Sequence, residues 1–125
     1  METAEEFISR KNKEFENHRT KIIKVKDIGR KGKHILIREA WCFMKQTDYP
    51  EKVFIIERFT FGKSEGKEFL QKPKEGKTEY RIGYYIIGKI GNKNGRWTWG
   101  QYCPFIPKDD LNKLLELARK QKVIL

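Results

Sequence analysis

At 125 residues the chain is long enough for one domain and one ordinary core, without metal or disulfide staples. Aromatic residues make up 13%, which excludes global disorder, and charged residues at 36% imply a compact core under a heavily charged skin. The 28 basic and 17 acidic residues leave a net charge of +11, a balance that points to a polyanion or an acidic surface as partner. A solubilising coat is the plainer alternative.

Residues Thr3 to Glu6 spell T-x-x-E, a capping box in which a hydroxyl and a carboxylate satisfy each other's backbone donors. A helix is expected from there to about Asn17. Its apolar stripe is narrow (Ala4, Phe7, Ile8, Phe15), so it packs by one edge or sits peripherally over residues 1–19. The stretch Thr20 to Ile28 alternates as a strand, and Gly29 to Lys33 (GRKGK) is a basic turn. A second strand, His34 to Met44, places Ile35, Ile37, Trp41 and Phe43 on one side and Leu36, Ala40, Cys42 and Met44 on the other. With both sides apolar it belongs inside the sheet.

Lys45 to Lys52 reads as a loop containing Pro50. Val53 to Phe61 is a third strand, with Val53, Ile55, Phe59 and Phe61 on one side and Phe54, Ile56, Arg58 and Thr60 on the other. Residues 62–77 form a long mobile loop of the kind that usually carries function, with Phe69 and Leu70 as its anchors. Thr78 to Ile90 and Arg96 to Ile106 are strands joined through GNKNG as a hairpin. Gly83 and Gly100 within them mark bulges or close backbone approaches, and Pro104 marks an edge or an exit from the sheet. Pro107 opens a last helix with Asp109 and Asp110 at its positive end. Leu111, Leu114, Leu115 and Ala118 form its apolar face, and Val123 to Leu125 fold back as an apolar tail.

The expected fold is therefore α+β: an antiparallel sheet of about five strands with an N-terminal helix and a C-terminal amphipathic helix packed on one side. From about residue 20 the order of elements resembles that of single-stranded DNA-binding coactivators, where a curved sheet is backed by a C-terminal helix. This chain adds an N-terminal helix and a fifth strand.

Positive charge is concentrated between Arg10 and Arg38, where 11 basic residues face three acids (Glu14, Glu16, Asp27), giving +8 of the +11. Lys24 and Lys26 share one side of a strand, and Lys21, Arg30, Lys31 and Lys33 lie at its ends. Such a ladder suits a phosphate backbone, and equally suits an edge strand guarded by lysines. A second group combines rings with guanidinium side chains: Tyr80, Arg81, Tyr84, Tyr85, Arg96, Trp97, Trp99 and Tyr102. Rings on strands beside cations are what sequence-tolerant stacking on unpaired bases requires, although half-buried rings are also ordinary sheet residues. No helix reads as a recognition helix, so single-stranded DNA or RNA is the expected partner, bound without catalysis, metal or cofactor.

Two other readings stand beside it. One is a protein-interaction module or small homodimer. The other is a metal-dependent nuclease using Glu65 or Glu75 with Asp48, which lacks strand-borne carboxylates. His18 and His34 have no partner at metal or nucleophile spacing. Cys42 and Cys103 are not in metal spacing and read as reduced core thiols, with a single bridge between them as the alternative. The N-terminus METAEEFISR has no apolar leader core and no run reaches membrane-spanning length, so a cytoplasmic protein without a membrane partner is expected.

Overall fold

The computed structural model describes residues 1–19, 22–26, 33–62 and 76–125, the stretch 22–26 and residues 33 and 34 through their backbone alone. The chain runs α1 (Ala4–Asn17), β1 (Ile22–Lys26), β2 (Lys33–Gln46), β3 (Tyr49–Phe61), β4 (Thr78–Ile87), β5 (Trp97–Trp99) and α2 (Lys108–Lys120). The strands form one antiparallel sheet in sequence order, β1-β2-β3-β4-β5, in which β5 is only three residues long. An α+β architecture results, as the pattern of elements implies. The helices do not share a side of the sheet: α1 and α2 lie on opposite faces.

The reason lies in β3. Val53, Phe54 and Ile55 are 0% exposed and Ile56 and Glu57 are 1% exposed. Successive strand residues point to opposite faces, so five buried in a row need a cover on each. Phe7 and Phe15 of α1 cover Val53, Ile55 and Phe43, while Leu114 and Ala118 of α2 cover Phe54, Ile56 and Cys42. The two apolar sides read from β3 are the two faces observed.

The capping box forms: Glu6 N–H donates to Thr3 Oγ1 and Thr3 N–H to Glu6 Oε1, both at 3.1 Å. The stripe that docks α1 is Ala4, Phe7, Lys11 and Phe15. Lys11 fills the gap with its stem and holds its ammonium 5.7 Å and 5.3 Å from the Phe15 and Tyr85 ring centres. On α2 the buried stripe is Asp110, Leu114 and Ala118, while Leu111 is 37% exposed. Asp110 accepts from Thr47 N–H at 2.9 Å and Thr47 Oγ1 at 2.6 Å, so the start of α2 grips the β2–β3 turn. Those bonds from Thr47 hold the Asp110 carboxyl below the usual carboxylate range. Behind α2, Val123 is buried, and Arg58 Nη1 donates to the carbonyls of Lys122 and Val123 at 2.8 Å and 2.9 Å.

Three strand boundaries depart from expectation. The expected loop at Lys45 to Lys52 is mostly ladder, because β2 and β3 extend to a two-residue turn at Thr47 and Asp48. Pro50 is tolerated at the outer end, where the pairing shifts register. Strand β4 stops at Ile87. The fifth strand ends at Trp99, because Pro104 cannot donate to a ladder and Gly100 turns the chain away beneath Tyr84. Cys103 is thus exposed rather than a core thiol; Cys42 is buried, and both are free.

In β2 the alternation breaks at Glu39, a bulge between the pairs Arg38↔Phe59 and Ala40↔Arg58. Beyond it the sides exchange: Leu36 joins the Trp41 and Phe43 face beside Phe61, and Ile35 and Ile37 take the other. Gly83 needs no bulge. It is a close approach, since a Cβ there would collide with the Trp99 ring. The loop expected at 62–77 lies, apart from its ends, outside the described residues, as does the turn at Gly29 to Gly32.

Two outcomes follow. Replacing Phe7 by Ala removes the ring that meets Phe43, Tyr85 and Trp97, and lowers unfolding free energy by about 3–5 kcal/mol in a denaturant titration. Burial pushes the Cys42 thiol up to about 11. A thiol reagent near neutral pH therefore labels Cys103 quickly and Cys42 only after unfolding. Between the ordinary thiol value and that raised one, the unfolded chain loses its Cys42 proton while the folded chain keeps it. Stability therefore falls as pH rises through that window, more steeply than in Cys42→Ala.

Candidate nucleic-acid interface

The α1 face collects an unanticipated charged cluster. Glu57 faces α1 at 1% exposure, and its two oxygens accept from Arg38 Nε at 2.8 Å and Arg81 Nε at 2.9 Å. The Glu39 bulge is what turns Arg38 onto this face; strict alternation would point it to the other. The Arg38 guanidinium carbon lies 3.8 Å from the Phe15 ring centre, and that of Arg81 lies 4.7 Å from the Trp99 ring centre. Tyr85 packs edge-on against Trp99, and burial followed by the Glu57 carboxylate pushes its phenol up to about 12. The cluster carries one net positive charge and orders both arginines.

Trp97 and Trp99 share a face, as their spacing requires, and that face is the one α1 covers. Trp97 stacks on Phe7 at 4.8 Å with planes 20° apart, and its Nε1–H donates to Glu2 carbonyl at 3.0 Å. Both indoles are half-buried and already packed. Tyr84 lies on the α2 face, its ring covering Gly100 and 5.0 Å from Lys52 Nζ. Arg96 is exposed at the base of the β4–β5 connection.

The most exposed rings lie elsewhere. Between Gly100 and Pro107 the chain crosses the α2 face without joining the sheet. It is tied at one end by Gly100 N–H to Tyr84 carbonyl, 2.8 Å, and at the other by Ile106 in the core with Phe54 and Tyr84. Lys52 Nζ donates to the Phe105 carbonyl at 3.2 Å. Tyr102 is 80% and Phe105 91% exposed on this tied segment, and Lys108 is exposed just beyond it. Three residues apart, the two Cα atoms are at most about 11 Å from each other. Reading Arg96 to Ile106 as one strand leaves Phe105 among ordinary sheet residues. Its position between Pro104 and Pro107 is the signal against that reading, since neither proline can pair in a ladder.

The basic residues divide. Of the Arg10 to Arg38 group, Arg10, Lys11, Arg19 and Arg38 each hold an acid, respectively Glu2, Glu14, Glu16 and Glu57, at 2.8 to 3.3 Å. Lys24 and Lys26 lie on β1, an edge strand, with Lys26 opposite Lys33. Lys21, Arg30 and Lys31 lie outside the described residues. The β1–β2 and β2–β3 turns are at opposite ends of the 14-residue β2. Lys24, Lys26 and Lys33 are therefore not brought beside Tyr102 and Phe105. Lys52 and Lys108 are.

Among the described residues no three His, Cys, Asp or Glu side chains gather to hold a metal ion. Asp48 accepts from Gln46 Nε2 in the β2–β3 turn, and Glu65 and Glu75 lie outside the described residues. No described helix is long and apolar enough to cross a membrane. No family model, curated protein or solved structure matches the chain.

Replacing Glu57 by Ala leaves two arginines facing an apolar pocket without their anion. Unfolding free energy in urea falls by about 3 kcal/mol, toward the low end for a broken buried pair because Arg81 is over a third exposed.

Proposed function

We propose that this chain is a non-enzymatic binding domain for single-stranded nucleic acid, with Tyr102 and Phe105 as its stacking rings and Lys52 and Lys108 as nearby phosphate contacts. The observation that carries the reading is the pairing of an uncompensated +11 charge with two rings left in water on a segment tied at both ends. Exposed rings cost free energy in water, and a ring held on a tied segment loses little further entropy when a base stacks on it. Lys93 and Arg96, exposed at the β4–β5 connection and in no ion pair among the described residues, extend positive charge along the same end of β4. Lys24, Lys26 and Lys33 supply long-range attraction from the far end of the sheet, Lys21, Arg30 and Lys31 add to the positive charge, and Arg81, Tyr84, Trp97 and Trp99 hold the scaffold. A cytoplasmic location belongs to the same reading, supported by two unbridged cysteines.

The test is fluorescence anisotropy of a labelled oligothymidylate at about 50 mM and then about 200 mM salt. Affinity falls steeply between them, because each phosphate contact releases a counterion. Tyr102→Ala and Phe105→Ala each weaken binding by about 1–3 kcal/mol with melting temperature unchanged, whereas Trp97→Ala lowers the melting temperature. Absence of binding at the lower salt, or affinity indifferent to both ring deletions, overturns the proposal.

A further inference from the structure

Among the described residues, the part of β4 beyond the short β5 forms an open edge of the sheet. β5 pairs with β4 only at Tyr85, Ile86 and Ile87, and Gly100 N–H closes the pairing on Tyr84 carbonyl. From Thr78 to Gly83, β4 is bonded to β3 on one side and to no described residue on the other. Backbone groups alternate along an antiparallel strand, so the outward direction at Tyr84 is shared by Ile82, Tyr80 and Thr78. Their N–H and C=O groups form a row without partners among the described residues. On the α2 face this row carries Tyr80 and Ile82, 43% and 40% exposed. Leu125, 83% exposed, is held beside them by its N–H on Tyr80 Oη at 3.0 Å. The opposite edge, β1, bears Lys24 and Lys26, a common guard against edge pairing. This edge has no such guard on its apolar side.

We infer that the Thr78–Ile82 edge of β4 is a homodimer interface, pairing antiparallel with the same edge of a second copy about a two-fold axis at Tyr80. Charge favours that register over those centred on Glu79 or Arg81. With Tyr80 opposite the partner's Tyr80, Thr78 faces the partner's Ile82, and about six backbone hydrogen bonds join the copies. Glu79 then faces the partner's Arg81, twice, at the non-hydrogen-bonded positions where side chains approach closest. Among the described residues Arg81 gives only its Nε to Glu57, which leaves its outer nitrogens for that carboxylate.

The neighbouring registers fail. An axis at Glu79 opposes two glutamates and sets Lys77 against the partner's Arg81, and an axis at Arg81 opposes two arginines. An axis at Ile82 needs the outer groups of Tyr84, which Gly100 occupies. The interface makes a continuous sheet of two copies, covers Tyr80, Ile82 and Leu125, and does not involve Tyr102 or Phe105.

Sedimentation of the full chain over a concentration series tests it. A short strand pair lies at the small end of protein interfaces, so the dimer forms at about 1–100 μM. Ile82→Pro removes an N–H that faces outward in the monomer, and shifts the chain to monomer with its circular dichroism intact. Glu79→Lys, on an exposed side chain, opposes two cations and raises the dissociation constant about tenfold. In a Cys103→Ser background, Tyr80→Cys cross-links to itself on oxidation, since paired Cα atoms about 5.5 Å apart suit a disulfide. A monomer throughout the series overturns the inference. So does a dimer that resists both Ile82→Pro and Glu79→Lys, or one in which the Tyr80→Cys chain stays uncross-linked on oxidation.

Discussion

The structure depends on a central strand that is buried on both faces. Strand β3 presents alternate side chains to each side of the sheet, and from Val53 to Glu57 none reaches water. One helix can cover only one face of a sheet, so both helices are required, and the chain supplies them from its two ends. Each end is then tied where it lands. The Trp97 indole holds the Glu2 carbonyl at the start of α1, and Arg58 holds the Lys122 and Val123 carbonyls after α2. Layouts with a sheet backed by one helix leave the other face free for a ligand. Here that face is taken by α1, which leaves edges, loops and helix exteriors as the exposed surface.

Burial of Glu57 is the costly part of this arrangement. A carboxylate at 1% exposure needs its charge met on the spot, and the Glu39 bulge meets it by turning Arg38 inward while Arg81 arrives from β4. The same arginines lie over Phe15, Phe59 and Trp99, so charge and ring packing support each other in one cluster. Side chains that resemble a nucleic-acid surface in sequence, an arginine beside two tryptophans, are here largely committed to holding α1 and β3 together. The most exposed rings are those on the Gly100–Pro107 crossing, where no described strand or helix covers them.

Local features are legible in the chain because their causes are local. The capping box at Thr3, the helix start at Pro107 and the two sides of β3 follow from residue chemistry within a few positions. The Glu39 bulge does not, because an inserted residue is seen only against the partner strand. Lys11 and Asp110 fall outside the helix stripes read from sequence for a related reason. A polar side chain joins an apolar stripe when a distant group receives it, here the Tyr85 ring and the Thr47 turn.

Periodicity, capping groups and composition specify the class of fold, the succession of elements along the chain, the chemistry of the helix ends and the large positive charge. The chain carries these whatever its tertiary arrangement. Three things come from packing alone: which face each helix takes, which arginines are bound to buried acid, and which rings remain in water. Periodicity shows that a helix has an apolar stripe without showing which side of a sheet will receive it. Exposure of a ring is a property of everything packed around it.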